Sequence, residues 1–345
     1  MNVGCIGAGA GACAAVYVLA NTTDAQLTVL EKSGGLCGRA ATRRRGEVTY
    51  EYGANYVTAD DGRVTDLVTD ELDDDGLETI DEPIWVFDAD GRVSEGRDDQ
   101  DAKLVYRDGL TQLGKRLLSG TDAEVHRRTR VEALEYESGM WYAFDTGGTE
   151  WGPFDILICN PPAPQTAELL RKADWGNSLR HRLVEALDSV PFRTIWAAVL
   201  GYEFELDVPY YALVNPGKDH DVGWIAREEC KPGHVPDGES VLLVQPSHEW
   251  SVDHYEADPE ENVETLAQKT AAIVNDDRLK DPAWSDYQGW RYALAEGAVP
   301  KGPLSDAREY GVYFTGDWVD GEARVHAAVR DGLETGERIV HRHSG

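Results

Sequence analysis

Val3-Gly4-Cys5-Ile6-Gly7-Ala8-Gly9-Ala10-Gly11-Ala12 opens the chain's first apolar run, and Leu27-Thr28-Val29-Leu30-Glu31 closes the unit that follows. A buried strand runs into a glycine turn, a helix begins, a second strand follows, and an acid ends it. An ADP-ribose site needs that order. Gly7 permits the tight turn, and Gly9 lets the backbone approach a pyrophosphate. Ala12 stands at the third position of the fingerprint, where a small residue lets the helix pack close on the strand. The helix N-terminus offers unpaired N–H groups and a positive dipole end to phosphates. Glu31 follows at the spacing at which an acid accepts hydrogen bonds from ribose hydroxyls. A lone fingerprint is weak; flanking strands and a correctly spaced acid make it strong. A ligand-free βαβ unit is one alternative. A secretory signal is another, but no basic segment precedes residues 3–20.

Composition narrows the partners. The 345 residues suffice for two domains sharing one cleft. With 63 acidic and 33 basic residues the net charge is −30. The acids are spread along the chain, as in Asp73-Asp74-Asp75, Asp98-Asp99 and Glu260-Glu261. Such a hydrated, self-repelling surface suits a cytoplasmic protein from a salt-accumulating halophile and disfavours nucleic acid and anionic membranes. The 5 cysteines are odd in number and scattered, without metal-ligand spacing, so buried thiols and no metal site are expected. No apolar run is long enough to span a membrane.

Short β runs alternate with amphipathic helices. The pattern predicts a helix up to about Leu118 and a β-meander over Glu124–Leu134, Trp141–Asp145 and Phe154–Cys159. A turn, Asn160-Pro161-Pro162-Ala163-Pro164, leads into one further helix. Strands are predicted at Ile195–Leu206, Val222–Arg227, Ser240–Pro246, Gly289–Leu294 and Gly311–Thr315. Helices are predicted at Pro259–Val274 and from Arg324 to His341. The class is α/β, with a β-rich insertion.

Three more stretches carry chemistry. Gly34-Gly35-Leu36-Cys37-Gly38-Arg39 follows Glu31; its glycines let backbone wrap a ligand, and Arg39 can pair with a phosphate. Arg43, Arg44 and Arg45 come next, in an otherwise acidic protein. Tyr50-Glu51-Tyr52-Gly53-Ala54-Asn55-Tyr56-Val57-Thr58 is extended, and Gly53 would permit close approach to a ring; the run reads equally as core strand. Near the end, Gly311-Val312-Tyr313-Phe314-Thr315-Gly316-Asp317-Trp318 precedes Arg324-Val325-His326. Here a strand ends in Gly-Asp before a helix. Asp317 can bind a ribityl or ribose hydroxyl, and the helix N-terminus can stabilise negative charge on a flavin.

With these motifs the chain resembles the flavin-containing amine oxidase superfamily over nearly its whole length, and within it the renalase-like oxidoreductases, with a composition of haloarchaeal type. The renalase-like features are Pro162-Ala163-Pro164-Gln165, Trp224-Ile225-Ala226-Arg227 with Lys231-Pro232-Gly233, Glu249-Trp250-Ser251, and Trp290-Arg291-Tyr292-Ala293. The resemblance implies a discontinuous Rossmann-type FAD domain (1–75, 104–164, 288–345) and an inserted β-rich substrate domain (76–103, 165–287), in the monoamine oxidase or p-hydroxybenzoate hydroxylase manner. It implies non-covalent FAD held by Gly7, Gly9, Ala12, Glu31, Lys32, Gly38, Arg39, Asn55, Val131, Gly316, Asp317, Arg324 and Val325. Trp290 matches an aromatic beside the flavin, and His326 starts the helix that faces it; these are the catalytic candidates. One departure is Glu228-Glu229, where renalase-like chains often carry Asn, which leaves a substrate contact open there. No cysteine follows Cys230, which argues against a cysteinyl flavin link near the C-terminus.

The resemblance implies oxidation of misformed dihydro-NAD(P) isomers by hydride transfer to flavin N5, with oxygen reduced to hydrogen peroxide. That chemistry rests on positioning more than on a general base. Amine oxidation is the alternative, and a non-catalytic flavin-binding protein is a second. The expected partners are a small-molecule donor, no nucleic acid and no membrane; monomer and homodimer stay open.

Overall fold

The computed structural model describes residues 1–96 and 101–343, so Asp98-Asp99 lie outside it. The glycine motif lies where expected. Strand β1 (Asn2–Ile6) leads into helix α1 (Ala10–Thr22), and strand β2 (Gln26–Glu31) returns parallel to β1. Outside β2 stands Glu124–Arg127, and on the other side of β1 stand Ile156–Cys159 and Val312–Phe314, all parallel. Buried on both faces, β1 and Ile156–Cys159 are apolar almost throughout, as a covered parallel sheet demands. The strand order reverses beside β1, so a crevice opens between the C-terminal ends of β1 and Ile156–Cys159.

Helix α1 is nearly all small residues, and the C-terminal helix Val325–His343 packs along it. Gly332 sets the closeness of that contact: a Cβ there would stand 2.1 Å from the Gly11 carbonyl oxygen.

A seven-stranded sheet runs Trp284–Ala295, Phe192–Tyr202, Ser240–Pro246, Val222–Arg227, Ala212–Val214, Ile84–Phe87 and Val93–Ser94. It is antiparallel except where Ala212–Val214 meets Ile84–Phe87. Its strands alternate by residue. Ala198, Leu200, Leu242, Val244 and Ile225 face helix Pro259–Val274, whose Leu266 and Ala271 join their core. Ala197, Val199, Val241, Leu243 and Ala226 face the other way. They meet Val48 and Tyr50 from the hairpin of strands β3 (Thr42–Arg45) and β4 (Val48–Glu51). The hairpin therefore sits between the substrate sheet and the nucleotide-binding layer.

Several boundaries differ from expectation. The meander is confined to Val131–Glu137, Met140–Asp145 and Glu150–Phe154; Glu124–Arg127 and Ile156–Cys159 belong to the parallel sheet. Arg128, at φ 59°, breaks the run that sequence reads as one strand. The proline turn leads into two helices, Ala163–Lys172 and Ser178–Asp188. Both pack with Leu157, Phe314 and Trp318 on the nucleotide-binding side, so the division expected at 164/165 falls inside the first of them. The division expected at 287/288 cuts the continuous strand Trp284–Ala295. Among the described residues no helix is long and apolar enough to cross a membrane.

Gly332→Ala should destabilise the fold by about 1–3 kcal/mol, because backbone on the facing helix cannot yield as a flexible side chain can. Gly302→Ala, where the added carbon meets nothing within 4 Å, should stay within about 0.5 kcal/mol. Denaturant melts of both variants in molar KCl check this; equal costs would contradict the packing argument.

Candidate functional site

The crevice at the C-terminal end of β1 is built from backbone. Gly9 caps α1 without a side-chain cap, and the first helical bond runs from Cys13 N–H to Gly9 C=O. The amides of Ala10, Gly11 and Ala12 therefore have no partner within the helix and point out of its N-terminus. Asn160, at the end of the neighbouring strand, accepts from Gly9 N–H at 2.9 Å and donates to Thr315 C=O at 2.9 Å. One carboxamide thus ties together the ends of three parallel strands. Sequence reading took Asn160 only as the start of a turn; the available signal was a polar side chain directly after the apolar run Ile156–Cys159.

The candidate cofactor residues converge on this crevice. Glu31 is 6% exposed and accepts from Ala8 N–H at 2.7 Å and Ser33 N–H at 2.6 Å. Those bonds aim the carboxylate across the mouth of the glycine turn. Gly38 comes up against Gly9, and Cys37 bridges to Gly9. Arg39 makes a bidentate pair with Asp317, at 2.5 and 3.0 Å, and donates to Ala293 C=O at 2.8 Å. The N-terminal and C-terminal motifs are thus in contact. Gly316 N–H donates to buried Asp331, which burial pushes up to about pKa 6. Val325 begins the C-terminal helix and Arg324 caps it, since Ala328 N–H bonds Arg324 C=O. Lys32 and Val131 flank Glu31, whose C=O accepts from Thr129 N–H at 2.8 Å. Lys32 turns to Gln165, and Val131 begins the meander, opposite Asp145.

The opposite wall comes from the substrate sheet. Trp290 donates its indole N–H to Tyr52 C=O at 2.7 Å and stacks on the Tyr52 ring, centroids 5.5 Å apart. Gln245 donates to Gly53 C=O at 2.8 Å. Gly53 itself allows the approach: a Cβ there would lie 2.2 Å from Arg39 C=O and 3.3 Å from the Trp290 ring. Beyond it Tyr56, Tyr211 and Trp224 form an aromatic row, adjacent centroids 6.2 Å apart. Asn55 Oδ1, Tyr211 OH and Trp224 Nε1 are buried with no hydrogen-bond partner. Orphaned polar atoms of this kind, beside unpaired helix-terminal amides and a carboxylate at ribose spacing, fit a bound flavin dinucleotide.

His326 is 2% exposed, its Nδ1 3.2 Å from Asp60 and its Nε2 2.9 Å from Glu322. Arg330 joins Glu322 to Asp61. Arg330 first, and His326 after it, hold the Glu322 carboxyl below its usual range. Arg330, bonded to both Glu322 and Asp61, pins the loop ahead of the C-terminal helix to the segment that follows β4, while His326 Nδ1 is buried with no hydrogen-bond partner.

Position 228 is not an open contact. Glu228 is fully buried and accepts from Lys231 Nζ at 2.6 Å, His234 Nδ1 at 3.0 Å and Glu51 N–H at 3.0 Å. Burial alone would raise its pKa, but Lys231 and His234 outweigh this and hold it below the ordinary value. Glu229 pairs with Arg227 at 2.9 Å. The network clamps β4, and hence Tyr52-Gly53, onto the substrate sheet. Sequence reading missed it because its members are scattered between positions 51 and 234.

Glu51, buried in this network, is raised from 4.5 to about 7, chiefly by burial. A carboxyl raised in the folded state contributes stability that is full below its unfolded pKa and lost as pH rises through its folded one. The melting temperature of Glu51→Gln relative to wild type should therefore rise between pH 5 and pH 8, by about a few degrees. A difference that stays flat with pH would contradict this.

Residues 81–340 match the flavin containing amine oxidoreductase family, and residues 5–70 match the NAD(P)-binding Rossmann-like domain. Cyclohexylamine oxidase from Brevibacterium oxydans IH-35A is similar over 100% of this chain and 99% of its own, at 13% identity and a TM-score of 0.76. Putrescine oxidase bound to putrescine is similar over 99% and 100%, at 13% identity and a TM-score of 0.72. A CLA-producing fatty acid isomerase from P. acnes is similar over 99% and 98%, at 11% identity and a TM-score of 0.70. Identities this low establish likeness of fold, and the names of these proteins already span different chemistries.

Proposed function

Because this chain belongs to the flavin-containing amine oxidoreductase family, we propose that it is a renalase-like oxidase that binds FAD non-covalently and oxidises a dihydronicotinamide reduced at the wrong ring position. The observation that carries this reading is the state of the aromatic walls. Arg43 already covers the Tyr52 ring, 4.1 Å from its centroid, and Lys231 lies 6.0 Å from the Tyr211 centroid. An ammonium substrate gains most from aromatic faces free of other cations. With the Tyr52 ring taken up by Arg43 and by the stacked Trp290, little aromatic face is left for an ammonium, and the wall suits a flat, neutral, electron-rich ring.

The flavin, when bound, supplies the hydride acceptor and the route of electrons to oxygen. The chain supplies position. The α1 amides and Glu31 would hold the pyrophosphate and the adenosine ribose, and Arg39, Asp317 and the amides after Arg324 would hold the flavin half. Trp290 is fixed at both face and edge, by Tyr52 and by its N–H bond, so it presents one surface to a donor ring. His326, bonded to Glu322, positions the helix entry in this reading. The buried thiols support non-covalent attachment: all 5 cysteines are buried.

Trp290→Ala should retain FAD and lower the rate of flavin reduction by 6-dihydro-NAD by roughly tenfold or more, as expected for loss of a positioning surface. Single-turnover absorbance at 450 nm checks it. Unchanged kinetics would remove Trp290 from the site, and loss of flavin would assign it to cofactor binding instead.

A further inference from the structure

The strand Trp284–Ala295 presents its even-numbered side chains to the β3–β4 hairpin as a ladder. Trp290 stacks on Tyr52, Gln288 accepts from Arg43 at 2.7 Å, Asp286 accepts from Arg43 at 2.8 Å and Tyr50 OH at 2.7 Å, and Trp284 packs on Tyr50. The Arg45 guanidinium sits over the Trp284 ring, 5.2 Å from its centroid. An open cleft of roughly 610 Å³ follows this ladder, lined by Arg43, Arg44, Tyr50, Asp286, Gln288 and Gly289 among others. It starts one residue from Trp290 and runs outward. At about 3.3 Å per residue, Asp286 lies on the order of 13 Å from Trp290 along the strand.

The charges of the cleft are unusual for this molecule. In a chain of net charge −30, Arg43 and Arg44 line the cleft and Arg45 follows them on the same strand. Arg43 is paired with Asp286. The only carboxylate paired with Arg44 among the described residues is Asp108, at 3.4 Å, with a side chain 73% exposed. Arg44 also donates to the Asp108 backbone C=O at 2.6 Å, and an exposed pair of this kind compensates its positive charge only weakly. No carboxylate among the described residues is within ion-pair distance of Arg45; the hairpin turn adds one exposed acid, Glu47. An acidic surface repels phosphates, so a local positive rim beside the site is the feature that admits an anionic ligand.

We propose that this cleft is a binding site for the phosphate-bearing tail of the donor, with Arg44 and Arg45 as its specificity-determining residues. The proposal rests on the dihydronicotinamide reading and deepens it. A ring against Trp290 would direct its ribose 5′-phosphate outward along the ladder, past Gln288 and towards the guanidinium groups of Arg44 and Arg45. Arg43, committed to Asp286, Gln288 and the Tyr52 ring, shapes the floor of the cleft.

The test compares two donors, the 6-dihydronicotinamide mononucleotide and its phosphate-free riboside, on the FAD-loaded protein at the lowest salt that preserves the fold. The readout is the ratio of kcat/KM for the mononucleotide to kcat/KM for the riboside. Reversing two exposed charges in Arg44→Glu/Arg45→Glu should lower that ratio by about tenfold. Arg44→Gln/Arg45→Gln adds no acid to the surface, which guards against misfolding, and should lower it by about threefold. Arg182→Glu, which breaks a remote surface pair with Asp306, should leave it unchanged. Riboside and mononucleotide both oxidised, with the same ratio in all variants, would overturn the proposal and leave the arginines as protection of an edge strand. Oxidation of neither donor would overturn the dihydronicotinamide reading itself, and this proposal with it.

Discussion

The architecture depends on one close approach. The end of β1 must come near enough to the strands beside it for a single carboxamide, Asn160, to bond Gly9 on one side and Thr315 on the other. That bridge fixes where α1 begins, so it fixes where the unpaired helix amides point. It also fixes the end of Val312–Phe314, and so the place of Asp317 next to Arg39. Elements from opposite ends of the chain then surround one crevice, and the small residues of α1 let the C-terminal helix lie close enough to close it.

The second constraint is electrostatic. The Glu51, Glu228, Lys231 and His234 network is buried between two layers that otherwise touch through apolar side chains. Buried ions cost desolvation and return little net stability. Its consequence is geometric: Glu228 accepts the backbone N–H of Glu51, one residue before Tyr52. The stretch that makes the aromatic wall is therefore held from beneath by ion pairs and from the sheet side by Gln245 and Trp290. In the function proposed above, Arg43 over the Tyr52 ring and Trp290 stacked on it would leave that ring less receptive to an ammonium than an open aromatic cage.

Local patterns were legible where local physics decides. Pro259–Val274 starts on an Asp258 cap with proline in its first turn, and it spans the residues the periodicity predicts. Val222–Arg227 and Ser240–Pro246 likewise match their apolar runs. The positions of Glu31, Arg39 and Asp317 around one crevice follow from motif spacing. Contacts set by the tertiary fold were not legible. Nothing in Glu124–Leu134 marks the point where the chain leaves the parallel sheet for the meander. Asn160 gains its importance from Thr315, and Glu51 gains its environment from Glu228 and Lys231. The ladder between the hairpin and Trp284–Ala295 depends on a strand longer than its hydrophobic pattern, because its outward residues are polar and match the hairpin's arginines.

The central claim is that the aromatic wall receives a neutral reduced ring and turns away a cation. Anaerobic stopped-flow mixing of the flavin-loaded protein in molar KCl, with 2- and 6-dihydro-NAD(P), ordinary 4-dihydro-NAD(P)H and a panel of primary and secondary amines, tests it most directly. Rapid bleaching of the flavin by the 2- or 6-dihydro isomers, with the amines inert, is the predicted result. Rapid bleaching by an amine, with those isomers inert, would contradict the account.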